Sequence, residues 1–138
     1  MHYSSINTDG TLNAWQGTTA LDPARDSFGL VQYGGNLIMT GGINNSGEYH
    51  YVQYAATNAN GTLGPWTRMT SLTKARSSHT SVVYNGYLYV IGGSDSTGTA
   101  FSDVQYAKIN ELIQPVHAVT FVAVRGGTNA GSLYKVIT

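Results

Sequence analysis

The sequence predicts an all-β chain assembled from a repeated, four-stranded antiparallel unit, and three observations predict it. The first is internal repetition: Asn7-Thr8-Asp9-Gly10-Thr11-Leu12-Asn13-Ala14-Trp15 returns as Asn58-Ala59-Asn60-Gly61-Thr62-Leu63-Gly64-Pro65-Trp66, 51 residues later. The second is turn chemistry. Asn85-Gly86 separates two runs rich in Val, Tyr and Leu, and both turn positions favour positive φ, the signature of a two-residue hairpin. The third is composition. Charged residues make up 10% of the chain and 17 glycines accompany abundant Thr, Ser, Asn and Tyr, which suits short strands and tight turns and not long helices.

The repeat runs through the first 110 residues. Ala24-Arg25 returns as Ala75-Arg76, Tyr33 as Tyr84, Leu37 as Leu88 and Gly41-Gly42 as Gly92-Gly93, all at the same offset of 51. Val52-Gln53-Tyr54-Ala55 returns as Val104-Gln105-Tyr106-Ala107 at an offset of 52, so one residue has entered the loop after the second glycine pair. Within one period, residues 78–84 read as a first strand and residues 87–91 as a second, ending at Gly92-Gly93. A polar loop over 94–100 leads to a third strand over about 101–109. In the preceding period the third strand ends at the 58–64 turn, and a short fourth strand carries Trp66. Four short, regularly spaced, hairpin-connected strands form one blade of a β-propeller.

The segment from Ala75 to Gly93, with its double glycine, the spaced Tyr106 and the counterpart Gly41, Gly42, Tyr54 and Trp66, resembles the kelch repeat. The resemblance covers about residues 1–110. The Asn-x-(Asp/Asn)-Gly-Thr-Leu turn before Trp15 and Trp66 is similar to a variant found in tandem on large bacterial cell-surface proteins. The resemblance implies blades closing into a ring of usually five to seven, and structural roles for the recurring Trp15, Trp66, Gly41, Gly42, Gly92, Gly93, Arg25, Arg76, Tyr54 and Tyr106.

Strand counting divides the chain. Residues 1–18 supply the last two strands of a partial blade, 19–70 a complete blade, and 71–110 a blade lacking its fourth strand. Residues 111–138 depart from the pattern. They read as a divergent hairpin or a degenerate blade, a second-and-third-strand pair in which Gly126-Gly127 and Tyr134 echo Gly92-Gly93 and Tyr106. About two to three blades make an incomplete ring, and open sheet edges invite pairing with another chain. Other copies of the chain are therefore the expected partners, closing a ring or propagating as a filament. In one arrangement the segment around Trp15 supplies a fourth strand to a neighbour's last blade.

Candidate chemistry is sparse. His2, His50, His79 and His117 show no metal-ligand spacing, and no acidic residue completes a zinc motif. Asp9-Gly10 and Asn60-Gly61 only faintly resemble calcium loops, and turn chemistry accounts for them. Glycine pairs followed by neither a helix nor Lys-Ser/Thr are not phosphate cradles. No Gly-x-Ser-x-Gly motif occurs, and the seven acidic residues are scattered, with Asp22, Asp26, Glu48, Asp95 and Asp103 on predicted loops or loop edges as solvated charges. Enzymes that the resemblance brings into view, the copper radical oxidases, use a Cys and Tyr ligands, and this chain has no cysteine. Neither a cofactor nor catalysis is expected. Arg25 and Arg76 recur with the repeat and are expected to bond to neighbouring loops or carbonyls. Tyr49, Tyr51 and Phe101 flank the loop between second and third strands, where aromatic rings suit stacking on a glycan or protein ligand.

A formal net charge of zero gives no steering toward nucleic acid, and no run of 18 apolar residues calls for membrane insertion. The expectation is a non-catalytic extracellular or cell-surface interaction or scaffold protein completed by self-association. The alternative is a structural subunit of a fibre or surface layer built by strand exchange.

Overall fold

In the computed structural model, residues 1–109 and 122–125 are described, and every element named below is a strand. The middle blade shows how the sequence builds one repeat. Gly29–Tyr33 (β3) turns through Gly34-Gly35 into Asn36–Thr40 (β4), which pairs in turn with Val52–Ala56 (β7), and β7 pairs with Thr67–Arg68 (β8). The register places Val31, Ile38 and Tyr54 side by side across the sheet. Inside the loop between β4 and β7, Ile43–Asn44 (β5) and Gly47–Glu48 (β6) form a small hairpin where only a loop was expected.

Thr80–Tyr84 (β9), Tyr87–Ile91 (β10) and Asp103–Lys108 (β11) repeat the arrangement, with Tyr89 between Val82 and Tyr106. The hairpin predicted at Asn85-Gly86 forms with φ values of 50° and 79°, the left-handed conformation that Asn and Gly adopt at least cost. Before these two blades, His2–Tyr3 (β1) pairs with Gln16–Gly17 (β2), occupying the places of a third and a fourth strand. Trp15 and Trp66 each stand immediately before the short closing strand instead of within it.

The blade over 71–110 differs from the sequence reading in one respect. Val122–Arg125 (β12) pairs antiparallel with β11, on the edge that β8 occupies in the middle blade, so the fourth-strand place is filled. Alternating β-branched Val122 and Val124 favour an extended strand, and an unpaired β11 edge would leave backbone groups without partners. Gly126, Gly127 and Tyr134 lie outside the described residues.

The core lies between blades. Ile38 and Val52 of the middle blade cluster with Leu88, Val90 and Ala107 of the next and with Leu72 and Ile109, and Val31, Tyr33, Tyr54 and Val83 pack against them. Each fully buried Leu, Ile or Val contributes roughly 1.5–3 kcal/mol. The first strands β3 and β9 run side by side, as successive inner strands of a propeller do. Polar contacts fix the spacing of the two blades. Thr40 Oγ1 lies 2.8 Å from His79 Nε2 and 2.7 Å from Ser81 Oγ, and Gly42 N–H donates to the Arg76 carbonyl at 2.9 Å. The double glycine serves this approach. Gly41 has φ 54°, and a Cβ there would stand 2.5 Å from the Arg76 carbonyl oxygen and 2.7 Å from His79 Cε1.

Candidate functional site

Under each loop between second and third strands, a repeat arginine sits beneath aromatic rings. In the later blade Arg76 is fully buried, and its guanidinium makes a two-pronged ion pair with Asp103, Nη1 to Oδ1 at 2.8 Å and Nη2 to Oδ2 at 2.9 Å. Arg76 Nη1 also donates to the Gly92 carbonyl at 2.7 Å. The Phe101 ring covers the pair, 4.6 Å from Arg76 Cζ, and Lys74 Nζ approaches the same ring at 5.4 Å. Gln105 Nε2 donates to Asp103 Oδ2 at 3.0 Å, and Gln105 Oε1 accepts from the Thr73 amide. The hydrogen bonds from Arg76 hold the Asp103 carboxyl below the usual carboxylate range, against a smaller opposing effect of burial. Asp103, expected as a solvated loop charge, is thus the partner of a buried cation, and the Gly92 carbonyl is its lesser companion.

The middle blade uses the same frame with different chemistry. Arg25 takes the place of Arg76, and Gln53 that of Gln105, its Nε2 donating to the Asp22 carbonyl at 3.2 Å. Tyr49 stands where Phe101 stands, and Tyr51 where Asp103 stands. Arg25 Nη2 therefore donates to Gln53 Oε1, with Met39 Sδ at 3.6 Å, and no carboxylate pairs with it among the described residues. Its Nε and Nη1 are buried without a hydrogen-bond partner. Arg25 Cζ lies 5.2 Å from the Tyr49 ring centre and 6.0 Å from that of Tyr51. A second cation joins it, because Arg68 of β8 lays its guanidinium over Tyr51 at 3.9 Å. Burial pulls the Arg25 pKa down from its ordinary value; Tyr49 opposes this, and the charge of Arg68 adds a smaller downward push.

Tyr49 and Tyr51 are thereby brought together, with ring centres 5.3 Å apart, while Phe101 occupies the corresponding place in another blade. The three predicted rings form two equivalent stations, each already stacked on an arginine, and not one continuous patch. Tyr54 packs against the interblade core, and its counterpart Tyr106 stacks on Tyr89 with ring centres 5.9 Å apart. Trp15 is exposed, and Trp66 is half-buried with its indole N–H unpaired. His79 is buried on the Thr40 hydroxyl; desolvation, assisted by the charge of Arg76, lowers its pKa to about 4. Sequence reasoning missed Asp103, Gln53, Gln105 and Arg68. The recurrence of Gln53 and Gln105 at the repeat offset was the available signal.

The Asp-Gly and Asn-Gly turns hold themselves. Thr11 donates to Asp9 Oδ1 through its amide at 2.9 Å and its hydroxyl at 2.7 Å, Thr62 does the same to Asn60, and Asp95 with Thr97 makes a third copy. Among the described residues no helix is long and apolar enough to cross a membrane.

Comparison with known proteins agrees with this geometry. The family described as Kelch motif matches residues 75–106. A solved structure, that of YjhT, superposes with a TM-score of 0.54 at 21% identity, over 74% of this chain and 28% of its own length, a likeness of fold. No curated protein matches the sequence. The period and the blade register show blades of propeller type, and residues 75–106 carry a Kelch motif.

Proposed function

We propose that this chain is a non-catalytic interaction and scaffold protein of the extracellular or cell-surface type, whose blades are completed by other copies of itself. One observation carries the reading. The outward face of the β9–β12 blade presents Val82, Tyr84, Tyr89, Ile91, Val104 and Tyr106, the repeat counterparts of Val31, Tyr33, Ile38, Thr40, Val52 and Tyr54. In the middle blade Ile38, Thr40 and Val52 are wholly buried between blades. On the outward face Tyr84 is 72% exposed, Val82 43% and Ile91 41%. A surface composed as a blade-to-blade interface and left open fits another blade. A second copy is its occupant in this reading because this chain's own blades already pack that way.

Two titratable groups of the β9–β12 blade support the non-catalytic part: Asp103 is committed to Arg76 and His79 to Thr40, both within the fold. The surface setting rests on the Thr-, Asn- and Gly-rich, cysteine-free composition. Loops bearing Tyr49, Tyr51 and Phe101 are the places for a glycan or protein ligand.

Light scattering across a concentration series, with electron microscopy of the same samples, tests the proposal. The expected result is a discrete oligomer that the Val82→Lys/Tyr84→Lys pair dissociates, because lysines on that face repel a docking blade. Filaments abolished by the same pair would favour the fibre reading, with the β1–β2 edge and Trp15 the next residues to change. A concentration-independent, well-folded monomer would overturn self-association.

A further inference from the structure

We propose that Arg25 and Arg68 form a binding site for a carboxylate-bearing ligand, taking the carboxylate from outside that the next blade supplies from its own chain. The site is independent of whether copies associate. Its argument is an internal comparison between two copies of one frame.

Arg76 and Arg25 hold the same repeat position, and the glutamines beside them contact the same preceding turn, through Thr73 in one blade and Asp22 in the other. Where Arg76 meets the two oxygens of Asp103, Arg25 meets Tyr51, and its Nη1 is left buried and unpaired. An arginine nitrogen removed from water without a partner costs free energy, so such a group in a native fold asks for an acceptor. The fourth strand sharpens the contrast. Arg68 pairs in register with Gln53, at the place where β12 sets Ala123 opposite Gln105. The middle blade has thus replaced an acid by a tyrosine and added a second cation, in a chain whose formal charges sum to zero.

Geometry gives the ligand a path. Arg68 is exposed and stacked on Tyr51, and no hydrogen bond holds the Tyr51 hydroxyl among the described residues. The Tyr51 ring is kept in place by the Arg68 guanidinium over its face, a tilted contact with Tyr49 and an edge-on contact with His50. An arriving carboxylate meets Arg68 first, and turning the Tyr51–Arg68 stack outward opens Arg25 Nη1 to its second oxygen. A planar guanidinium suits this two-pronged grip. On the neighbouring side an open pocket of ≈460 Å³, lined by Arg25, Asn44, Asn45 and Ser46, has room for the remainder of the ligand. Asp26 also lines that pocket and accepts the Ser27 hydroxyl at 2.7 Å, so a single carboxylate is favoured there over a polyanion.

The test is titration of the full chain with sodium acetate at constant ionic strength, against chloride, read from the arginine Nε–H resonances. Arg25 and Arg68 are expected to shift saturably, while Arg76, already paired, stays still and reports that the fold is intact. Tyr51→Asp places a carboxylate where Asp103 stands in the other blade and is expected to weaken acetate binding by about tenfold or more. Arg68→Ala, an exposed change, is expected to do the same. An N-acetylglutamate amide and glucuronate distinguish a peptide from an acidic sugar as the carrier; saturation by either supports the site and names the source. Absence of a saturable shift with acetate, or equal shifts in wild type and Tyr51→Asp, would overturn the proposal.

Discussion

The middle blade and the β9–β12 blade share a backbone plan and differ in where their unsatisfied chemistry lies. The middle blade is covered on the face that meets its successor, Ile38 and Val52 being buried, but its arginine lacks an acid. The later blade has its arginine locked by Asp103, but the face that should meet a successor is open at Tyr84 and Val82. Repetition fixes the frame, then, and two kinds of local departure from it mark where other molecules would engage. A position that breaks the repeat in sequence points to a ligand; a position that keeps the repeat in sequence yet loses its burial points to a neighbouring blade.

The sharpest way to break this comparison is to remove matched residues from the two blades. Ile38→Ala empties a fully enclosed site between blades and should lower stability by about 2–5 kcal/mol, read from the urea midpoint. Its counterpart Tyr89→Ala, on the open face, should cost well under half as much at concentrations where the chain is monomeric. Equal losses would show that the outward face is already packed within one chain, and the argument for a second copy would fall.

The arginines give the next largest contrast. Asp103→Ala leaves the buried Arg76 without its counter-charge and should cost about 3–5 kcal/mol. Tyr51→Ala, at the corresponding place, removes only ring contacts and should cost about 1–2 kcal/mol. Denaturant unfolding of both variants decides it; a Tyr51 loss as large as the Asp103 loss would mean that the ring does the acid's structural work.

Much of this was legible in the sequence, and the unread part has a physical cause. The hairpin at Asn85-Gly86, the double glycines and the third strands are encoded locally, by turn chemistry and period-two patterning, and they form where expected. The ion pair was not legible because Arg76 and Asp103 stand 27 residues apart and meet only when β11 folds back on β10. Nor does the pair repeat, since Tyr51 replaces the acid, so self-comparison could not bring it out. The fourth strand at Val122–Arg125 was missed for a related reason: the Trp-bearing turn that announces β8 is absent before β12, and only sheet pairing identifies it.

A further expected effect concerns pH and separates two groups in the same blade. His79 has a folded pKa lowered to about 4, mainly by burial, against about 6.5 when unfolded. The unfolded chain therefore binds a proton that the folded chain refuses, and stability should fall as pH drops from about 6.5 toward about 4. Asp103 is also depressed, by the hydrogen bonds from Arg76, so its contribution is complete above its unfolded value near 3.9 and is lost only as pH falls further, through the folded value. Two acid limbs follow, the upper from His79 and the lower from Asp103. Urea midpoints between pH 7 and pH 3 should show both in wild type, with His79→Gln flattening the upper limb and Asp103→Asn the lower. If His79→Gln left the upper limb unchanged, the imidazole would be titrating freely in the folded chain. The contact between Thr40 and His79 would then be too loose to set the blade spacing on which the burial of Ile38 and Leu88 depends.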